Sequence, residues 1–144
     1  MKKVLTILAL TLMSSAMAQN WRTDFPKAKE IAAKENKQIV MVFQGSDWCA
    51  PCIKLDREIW STDTFVNYAN ENFVLVKVDF PKRKKNALPE AQTLSNAQLA
   101  ETYNTRGIFP FVVVLNAKGE VLGETSYKKM SPENYIEELN TFTK

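Results

Sequence analysis

The distribution of apolar residues along the chain predicts the strands. Three short segments, 38–44, 73–80 and 111–115, are mostly apolar and rich in β-branched residues, and 39–43 and 111–115 are apolar throughout. Such runs are typical of strands that are buried on both faces, as in the centre of a sheet. A turn at 116–119 is followed by a fourth short run at 120–124, which we expect to return as an antiparallel strand.

Helices are predicted between these strands from capping residues and from apolar residues at helical spacing. Thr23 or Asp24 is predicted to cap the first helix, Ser95 the fourth and Ser131 the last, where Pro132 follows at the first helical position. The predicted helices span about 24–36, 49–60, 61–70, 95–104 and 131–142. Strands that alternate with helices indicate an α/β fold, with helices on both faces of a central sheet.

Length and composition narrow the possible functions. The 144 residues are enough for one domain, and 45% of them are hydrophobic, so a packed core is expected. The chain contains no histidine, which excludes the usual Ser–His–Asp and Cys–His mechanisms and removes the commonest zinc ligand. Of the net charge of +3, two charges come from Lys2 and Lys3. The remaining chain is nearly neutral, which argues against general nucleic-acid binding.

The first eighteen residues have the three parts of a secretory signal peptide. Lys2 and Lys3 give a positive start, an apolar run covers 4–13, and Ala16 and Ala18 are the small residues that signal peptidase requires. The apolar run is shorter than the ~20 residues of a transmembrane helix. We expect cleavage after Ala18, a domain spanning 19–144, and a periplasmic or secreted protein. An uncleaved anchor or a buried helix is the alternative.

Both cysteines lie in one short motif, Trp48-Cys49-Ala50-Pro51-Cys52, where a predicted strand ends and a helix begins. The N-terminus of a helix favours negative charge, so it lowers the pKa of a thiol placed there. Cys52 follows one helical turn later, close enough to form a disulfide with Cys49. We therefore predict that Cys49 attacks a partner's sulfur and that Cys52 resolves the mixed disulfide.

Other interpretations of the two cysteines are weaker. A zinc site would require further Cys or His ligands, and covalent haem attachment would require His at position 53, which is Ile. A purely structural disulfide stays open, although so small a loop constrains the unfolded chain little. We predict neither a metal nor a bound cofactor.

The chain resembles the thioredoxin superfamily in three segments. These are the motif at 48–52, Lys77-Val78-Asp79 at the end of the second long strand, and Gly107-Ile108-Phe109-Pro110 before the third. It is most similar to exported thioredoxin-like proteins and to the periplasmic reducing domains of disulfide-interchange systems. The resemblance implies a three-layer thioredoxin-like α/β fold, with a central mixed sheet of about four strands flanked by helices.

The resemblance also implies a peptide-binding edge. In this family a cis proline lies beside the active-site disulfide, and Pro110 matches its position. The backbone of Phe109 is then expected to pair with an incoming peptide by strand addition, and Trp48 to form part of the docking surface. Without the resemblance, the sequence is equally consistent with Pro110 as a proline at the start of a strand and with Trp48 as a core residue.

Three features depart from the family pattern. Phe43 occupies the position of the buried Asp that precedes the first active-site cysteine in cytoplasmic thioredoxins, so proton transfer must use water or another group such as Lys77. Ala50-Pro51 replaces the Gly-Pro of thioredoxin, although both residues are still expected to support the active site. The segment before Pro110 is about one residue longer than usual, and Phe111 follows where Thr is common.

These features predict an enzyme, a thiol–disulfide oxidoreductase of the protein disulfide reductase type. It would reduce or isomerise disulfides in exported proteins and receive electrons from a thiol donor, for which a membrane-embedded protein is one candidate. A disulfide-forming oxidant is the second hypothesis, although the pair lacks the His between the cysteines that strong oxidants often carry. The third is a non-catalytic binding or chaperone module with a static disulfide.

Two charged features lie near the motif. The run Lys82-Arg83-Lys84-Lys85 is either solvated surface or a docking patch for an acidic partner or for membrane head groups. Asp47 is either a turn former or a negative charge that acts on the pKa of Cys49.

Overall fold

A computed structural model describes residues 20–144 of the chain. The predicted signal peptide at 1–18 lies outside the described residues. Within 20–144, no helix combines the length and the apolar character needed to cross a bilayer.

One five-stranded mixed sheet forms the centre of the molecule. The strands run in the order β1-β3-β2-β4-β5, with β1, β3 and β2 parallel to one another and β4 and β5 each antiparallel to its inner neighbour. Their bounds are β1 Trp21–Arg22, β2 Gln38–Gln44, β3 Phe73–Asp79, β4 Phe111–Leu115 and β5 Val121–Thr125. The sheet is of the kind that the resemblance implies, with one more strand than expected.

Five α-helices cover the two faces of this sheet. They are α1 Phe25–Glu35, α2 Ala50–Leu55, α3 Asp63–Asn72, α4 Glu90–Tyr103 and α5 Pro132–Thr141. A π-helical turn, Asp56–Trp60, continues α2, and a short 3-10 turn, Lys84–Asn86, lies in the connection between β3 and α4.

Alternate residues of each strand point to opposite faces, so the sheet separates two cores. On one face Met41 and Phe43 pack with residues of α1 and α4, including Ala28 and Leu99. On the other face the core contains residues of α2, the π-helical turn, α3 and α5. This second core includes Val40, Val42, Leu55, Trp60, Phe65 and Tyr135.

Three helices have N-caps with local hydrogen bonds. The predicted caps Asp24 and Ser131 accept from the amides of Lys27 and Asn134 at 3.0 and 3.2 Å. Thr62, which was not predicted as a cap, accepts from the Phe65 amide at 3.3 Å at the start of α3. Each bond satisfies an amide that has no partner within its helix. These helices begin within a residue or two of the predicted positions.

Two elements differ from the sequence-based expectation. The strand β1 was not predicted, because two residues are too few to form a periodic pattern. The helix α4 begins at Glu90 after Pro89, so Ser95 lies inside the helix and the prediction that it is a cap was wrong. The first turn of α4 carries no buried residue, and Leu94 is 60% exposed, so this part lacks the apolar spacing that marks a helix.

The last turn of the chain packs on the outermost strand. The ring of Phe142 lies against Gly123 of β5, and a Cβ atom at Gly123 would collide with it. Phe142 thereby extends the core on the α5 side toward the edge of the sheet.

Candidate functional site

The two cysteines lie where β2 passes through a short turn into α2. They form a disulfide, with their Cα atoms 5.2 Å apart. Cys49 is the N-cap of α2, and its Sγ accepts a hydrogen bond from the Cys52 amide at 3.3 Å. Only 4% of Cys49 and 3% of Cys52 are exposed. Both cysteines therefore lie at the start of a helix, as expected, and they are almost completely buried.

The turn before Cys49 depends on Gly45. The indole of Trp48 lies against Gly45, and any Cβ atom there would overlap the ring. The Cys49 amide bonds to the Gly45 carbonyl at 2.9 Å, which closes the turn. Pro51 follows in the first turn of α2, where a missing N–H leaves no helical hydrogen bond unmade.

Trp48 lies at the rim of the site. It is 39% exposed, and its Nε1 donates to the Phe80 carbonyl at 2.7 Å. The rings of Trp48 and Phe80 each meet the ring of Phe109 edge-to-face, with centroids 5.6 Å apart in both pairs. These three aromatic residues form a wall beside the cysteines, so the alternative that Trp48 is a core residue was wrong.

The segment before β4 is held by a buried side chain that the sequence did not single out. The peptide bond Phe109–Pro110 is cis, as the resemblance implies. Asn104, only 4% exposed, donates to the Ile108 carbonyl at 2.8 Å and accepts from the Ile108 amide at 3.0 Å. Both bonds act like those of a backbone partner, so Asn104 fixes the path of the chain into Phe109 and Pro110.

A small cavity of about 210 Å³, lined by both polar and apolar side chains, lies beside Cys52. Its lining residues are Gln44, Ser46, Cys52, Ile53, Asp56 and Lys77. Lys77, predicted as a supporting residue, therefore lines the same cavity as the second cysteine. Its ammonium also lies 5.2 Å from the centroid of the Trp21 ring, which belongs to the unpredicted strand β1.

The β2 residue beside Cys52 is Gln44, which the sequence did not identify. Phe43, the position compared with the family's buried Asp, points to the opposite core, where its ring lies 6.3 Å from that of Phe111. Gln44 points to the face of α2 because adjacent residues of a strand alternate. Its side chain is 7% exposed and reaches the cavity.

Two carboxylates fix the turn and the connection that follows β3. Asp79 accepts from the amide and the hydroxyl of Ser46 at 2.9 and 2.6 Å. Asp47 accepts from the amides of Lys82 and Arg83 at 2.9 and 3.0 Å, and from Nδ2 of Asn86 at 2.9 Å. Asp47 thus anchors a loop that is distant in sequence. From the sequence it was considered only as a turn former or as a charge acting on Cys49, and this role was not predicted.

These bonds determine the charge of Asp47. The hydrogen bond from the Lys82 amide is the largest cause, followed by that from Asn86, and together with the Arg83 amide they lower the pKa of Asp47 to about 2. On the other side of the turn, Lys82 Nζ lies 4.0 Å from the centroid of the Trp48 ring. The basic segment is therefore attached to the redox turn at two neighbouring residues.

Among residues 20–144 no group of three or more Cys, His, Asp or Glu residues is arranged to hold a metal ion.

Comparison with known proteins identifies the family. Residues 20–117 match the family model described as thioredoxin-like. The chain is 32% identical over 120 residues to the disulfide bond reductase DsbH of Chlamydia pneumoniae, covering 83% of this chain and 70% of that protein. It is 26% identical over 101 residues to the thioredoxin-related protein DsbJ of the same organism, of which it covers only 28%.

Solved structures show the same architecture. A structure of the DsbH oxidoreductase superimposes with a TM-score of 0.81 at 28% identity, covering 96% of this chain and 94% of that one. The C-terminal domain of DsbD from Neisseria meningitidis, in its oxidised form, matches with a TM-score of 0.54 at 18% identity. The first match covers nearly the whole of both chains, and the second shows the fold alone. The chain therefore belongs to the thioredoxin-like family and is a thiol–disulfide oxidoreductase.

Proposed function

We propose that this protein reduces or isomerises disulfides in exported proteins, with Cys49 as the nucleophile and Cys52 as the resolving thiol. The observation that carries the proposal is the bond from the Cys52 amide to Cys49 Sγ at the first residue of α2. In the reduced protein the same amide supports a Cys49 thiolate, which is the reactive form of a thiol.

The proposed reaction has two exchange steps. The Cys49 thiolate attacks one sulfur of a substrate disulfide, which forms a mixed disulfide and releases the other substrate sulfur as a thiolate. The Cys52 thiolate then attacks Cys49 Sγ, which restores the Cys49–Cys52 disulfide and releases the second substrate thiolate. Two electrons pass from the protein to the substrate, and a thiol donor must return two electrons before the next cycle.

The second step requires that Cys52 lose its proton. Because Phe43 faces away from the cysteines, we assign this support to the cavity that Lys77 and Gln44 line together with Cys52. The positive charge of Lys77 favours the Cys52 thiolate, and a water molecule in the cavity is the proposed proton acceptor. Lys77 is thus a positioning and electrostatic residue in the proposal.

We assign substrate binding to the aromatic wall and the segment behind it. Trp48 offers an exposed apolar surface next to Cys49, and the backbone of Phe109 before the cis Pro110 is the proposed partner for an extended peptide. Ala50 and Pro51 support the site by forming the first turn of α2.

The direction of electron flow is proposed from two observations. A 32% identical relative carries the name disulfide bond reductase. In addition, the dipeptide Ala50-Pro51 lacks the His that favours oxidants in this superfamily. We place the reaction in the periplasm or outside the cell, after removal of a signal peptide at Ala18. Its proposed partners are disulfide-containing exported proteins and a thiol donor, for which a membrane-embedded protein remains a candidate.

The test is to trap the mixed disulfide. The variant C52S should accumulate a covalent complex with a disulfide substrate through Cys49, because the resolving thiol is absent. The variant C49S and the double variant C49S/C52S are the matched controls and should trap nothing. Non-reducing electrophoresis or mass spectrometry reads the outcome, and the absence of any C52S adduct would contradict the proposal.

A measured reduction potential then separates the alternatives. A value near ~−270 mV for the Cys49–Cys52 pair fits a reductant, whereas a value near ~−120 mV would make the protein an oxidant. A value well below ~−300 mV would indicate a disulfide that rarely opens and would favour the binding module instead.

A further inference from the structure

Four consecutive basic residues at 82–85, here called the basic loop, lie beside the redox turn. Lys82, Arg83, Lys84 and Lys85 are all exposed. The ion pairs found within residues 20–144 use other cations, such as Lys27, Lys37 and Arg106. No ion pair within the described residues therefore neutralises a cation of the basic loop.

The basic loop is fixed to the redox turn at both of the residues that precede Cys49. The carboxylate of Asp47 accepts hydrogen bonds from the amides of Lys82 and Arg83, and the ammonium of Lys82 lies over the Trp48 ring. The indole of Trp48 in turn bonds to the carbonyl of Phe80, just before the loop. A surface that is already ordered loses less conformational entropy when a partner binds.

The nearby carboxylates do not cancel the positive charge. Asp47 directs its oxygens at backbone amides and at Asn86, and Asp79 directs its oxygens at Ser46 and at the Phe80 amide. The four cations of the basic loop outnumber these two anions. The rim beside Trp48 therefore has a local excess of positive charge, within a chain that is nearly neutral outside its first segment.

We propose that the basic loop docks an acidic segment that lies a few residues from the reacting cysteine of a protein partner. This inference rests on the proposed function, because it names the substrates that the redox pair would favour. A peptide on the aromatic wall would place its cysteine at Cys49 and its flank along Lys82 and the following cations. Complementary charge mainly raises the rate of encounter and fixes the register of binding.

The test compares two synthetic disulfide peptides with the same cysteine-containing core, one flanked by four glutamates and the other by four glutamines. The full-length protein is first reduced with dithiothreitol and desalted, and a single turnover is followed by loss of its thiols. At low ionic strength the wild type should reduce the glutamate peptide about tenfold faster. The preference should shrink to about twofold or less in ~0.5 M salt, since salt screens exposed charges.

The matched variants are K84Q/K85Q and K34Q/K118Q. Each removes two exposed lysines, but Lys34 in the last turn of α1 and Lys118 in the turn after β4 lie at the opposite end of the sheet. Lys82 is retained because it contacts Trp48. We expect K84Q/K85Q to lose most of the preference while reducing the glutamine peptide at the wild-type rate, and K34Q/K118Q to keep the preference.

Each contrary result has a distinct meaning. Equal wild-type rates for the two peptides, or a preference that K84Q/K85Q retains, would overturn the docking proposal and leave the proposed function in place. A wild type that reduces neither peptide would overturn both. The membrane alternative is tested by sedimentation with phosphatidylcholine vesicles that contain phosphatidylserine. If the two peptides react equally, and the wild type sediments with the vesicles while K84Q/K85Q does not, the basic loop contacts a membrane and the proposal is wrong.

Discussion

Two connections at opposite ends of the sheet are held in different ways. The turn at 116–119 is closed by its own Asn116, whose side chain accepts from the amides of Lys118 and Glu120 at 2.9 and 3.0 Å. The basic loop is held by Asp47, whose partners lie 35 to 39 residues further along the chain. The side-chain bonds that close the first connection come from within the turn, and Tyr103 adds a bond to the Gly119 carbonyl from outside it. The position of the second connection is instead coupled to the redox turn.

The glycines at the two ends show the same difference. Gly119 completes the turn with a φ of 87°, a conformation that residues with a side chain rarely adopt. Gly45 has no positive φ, and its missing side chain instead makes room for the Trp48 indole. One glycine therefore serves the local backbone, and the other serves a contact within the site.

The largest effect is expected from G45A. The new methyl group must displace the Trp48 ring, which breaks the bond from Trp48 to the Phe80 carbonyl and disorders the aromatic wall. We expect disulfide reduction to slow by at least about tenfold, since small displacements of positioning groups have large effects on rate. The matched control is G119A, which should lower the free energy of unfolding by about 1 kcal/mol and leave the rate unchanged. Equal rates in both variants would show that the position of Trp48 does not matter.

A smaller effect, on stability alone, is expected from N116A. The substitution removes the two bonds from the turn amides and a third bond to Glu120. Because these groups are near solvent, the expected loss is about 1 kcal/mol in the free energy of unfolding, measured by chemical denaturation. The reduction rate should equal that of the wild type. A lowered rate would mean that the two ends of the sheet are coupled.

The smallest effect is expected from acidification. Hydrogen bonds to the ionised carboxylate lower the pKa of Asp47 from 3.8 to about 2, so the folded form favours the anion. The stabilisation is therefore present above pH 3.8 and is lost as the pH falls through about 2. We expect the protection of the Lys82 and Arg83 amides against hydrogen exchange to fall several-fold across this range, after correction for intrinsic exchange.

The other end of the sheet supplies the control for that experiment. The amides of Lys118 and Glu120 bond to the amide oxygen of Asn116, which does not titrate. Their protection should change little while that of Lys82 and Arg83 falls. A D47N variant should also lose the pH dependence at the basic loop, and its persistence there would assign the effect to another group.

Features that depend on neighbouring residues could be predicted from the sequence. The strands at 38–44 and 111–115 match β2 and β4 because continuous apolar runs are a local signal. The cysteine motif was recognised from its place at a strand-to-helix turn, and the cis Pro110 from the resemblance of a short segment to the family. Each of these features is encoded within a few adjacent residues.

Features that depend on distant residues were missed. The strand β1 exists because Trp21 and Arg22 pair with Leu75 and Val76, and nothing in its own two residues requires a strand. The start of α4 was misplaced because its exposed first turn has no apolar spacing.

Within the site, the sequence alone did not establish which face of the sheet each side chain occupies or which residues it contacts. The comparison with the family concerned Phe43 and did not point to Gln44, although the alternation of β2 turns Gln44 toward Cys52 and Phe43 to the opposite core. In the same way, Asp47 could be recognised as a turn residue, but its partners in the basic loop could not. Both omissions concern three-dimensional neighbours rather than residue type.

The contact between Phe142 and Gly123 has a practical consequence for where this domain can be cut or joined. Chain termini are usually tolerant of trimming and of fusion to another protein. Here the Phe142 ring fills space on β5, and Val121 and Leu122 of that strand are already 48% and 37% exposed. A protease cut or a fusion junction placed before Phe142 would uncover more of an edge strand, and exposed edges promote aggregation. The domain therefore extends at least to Phe142.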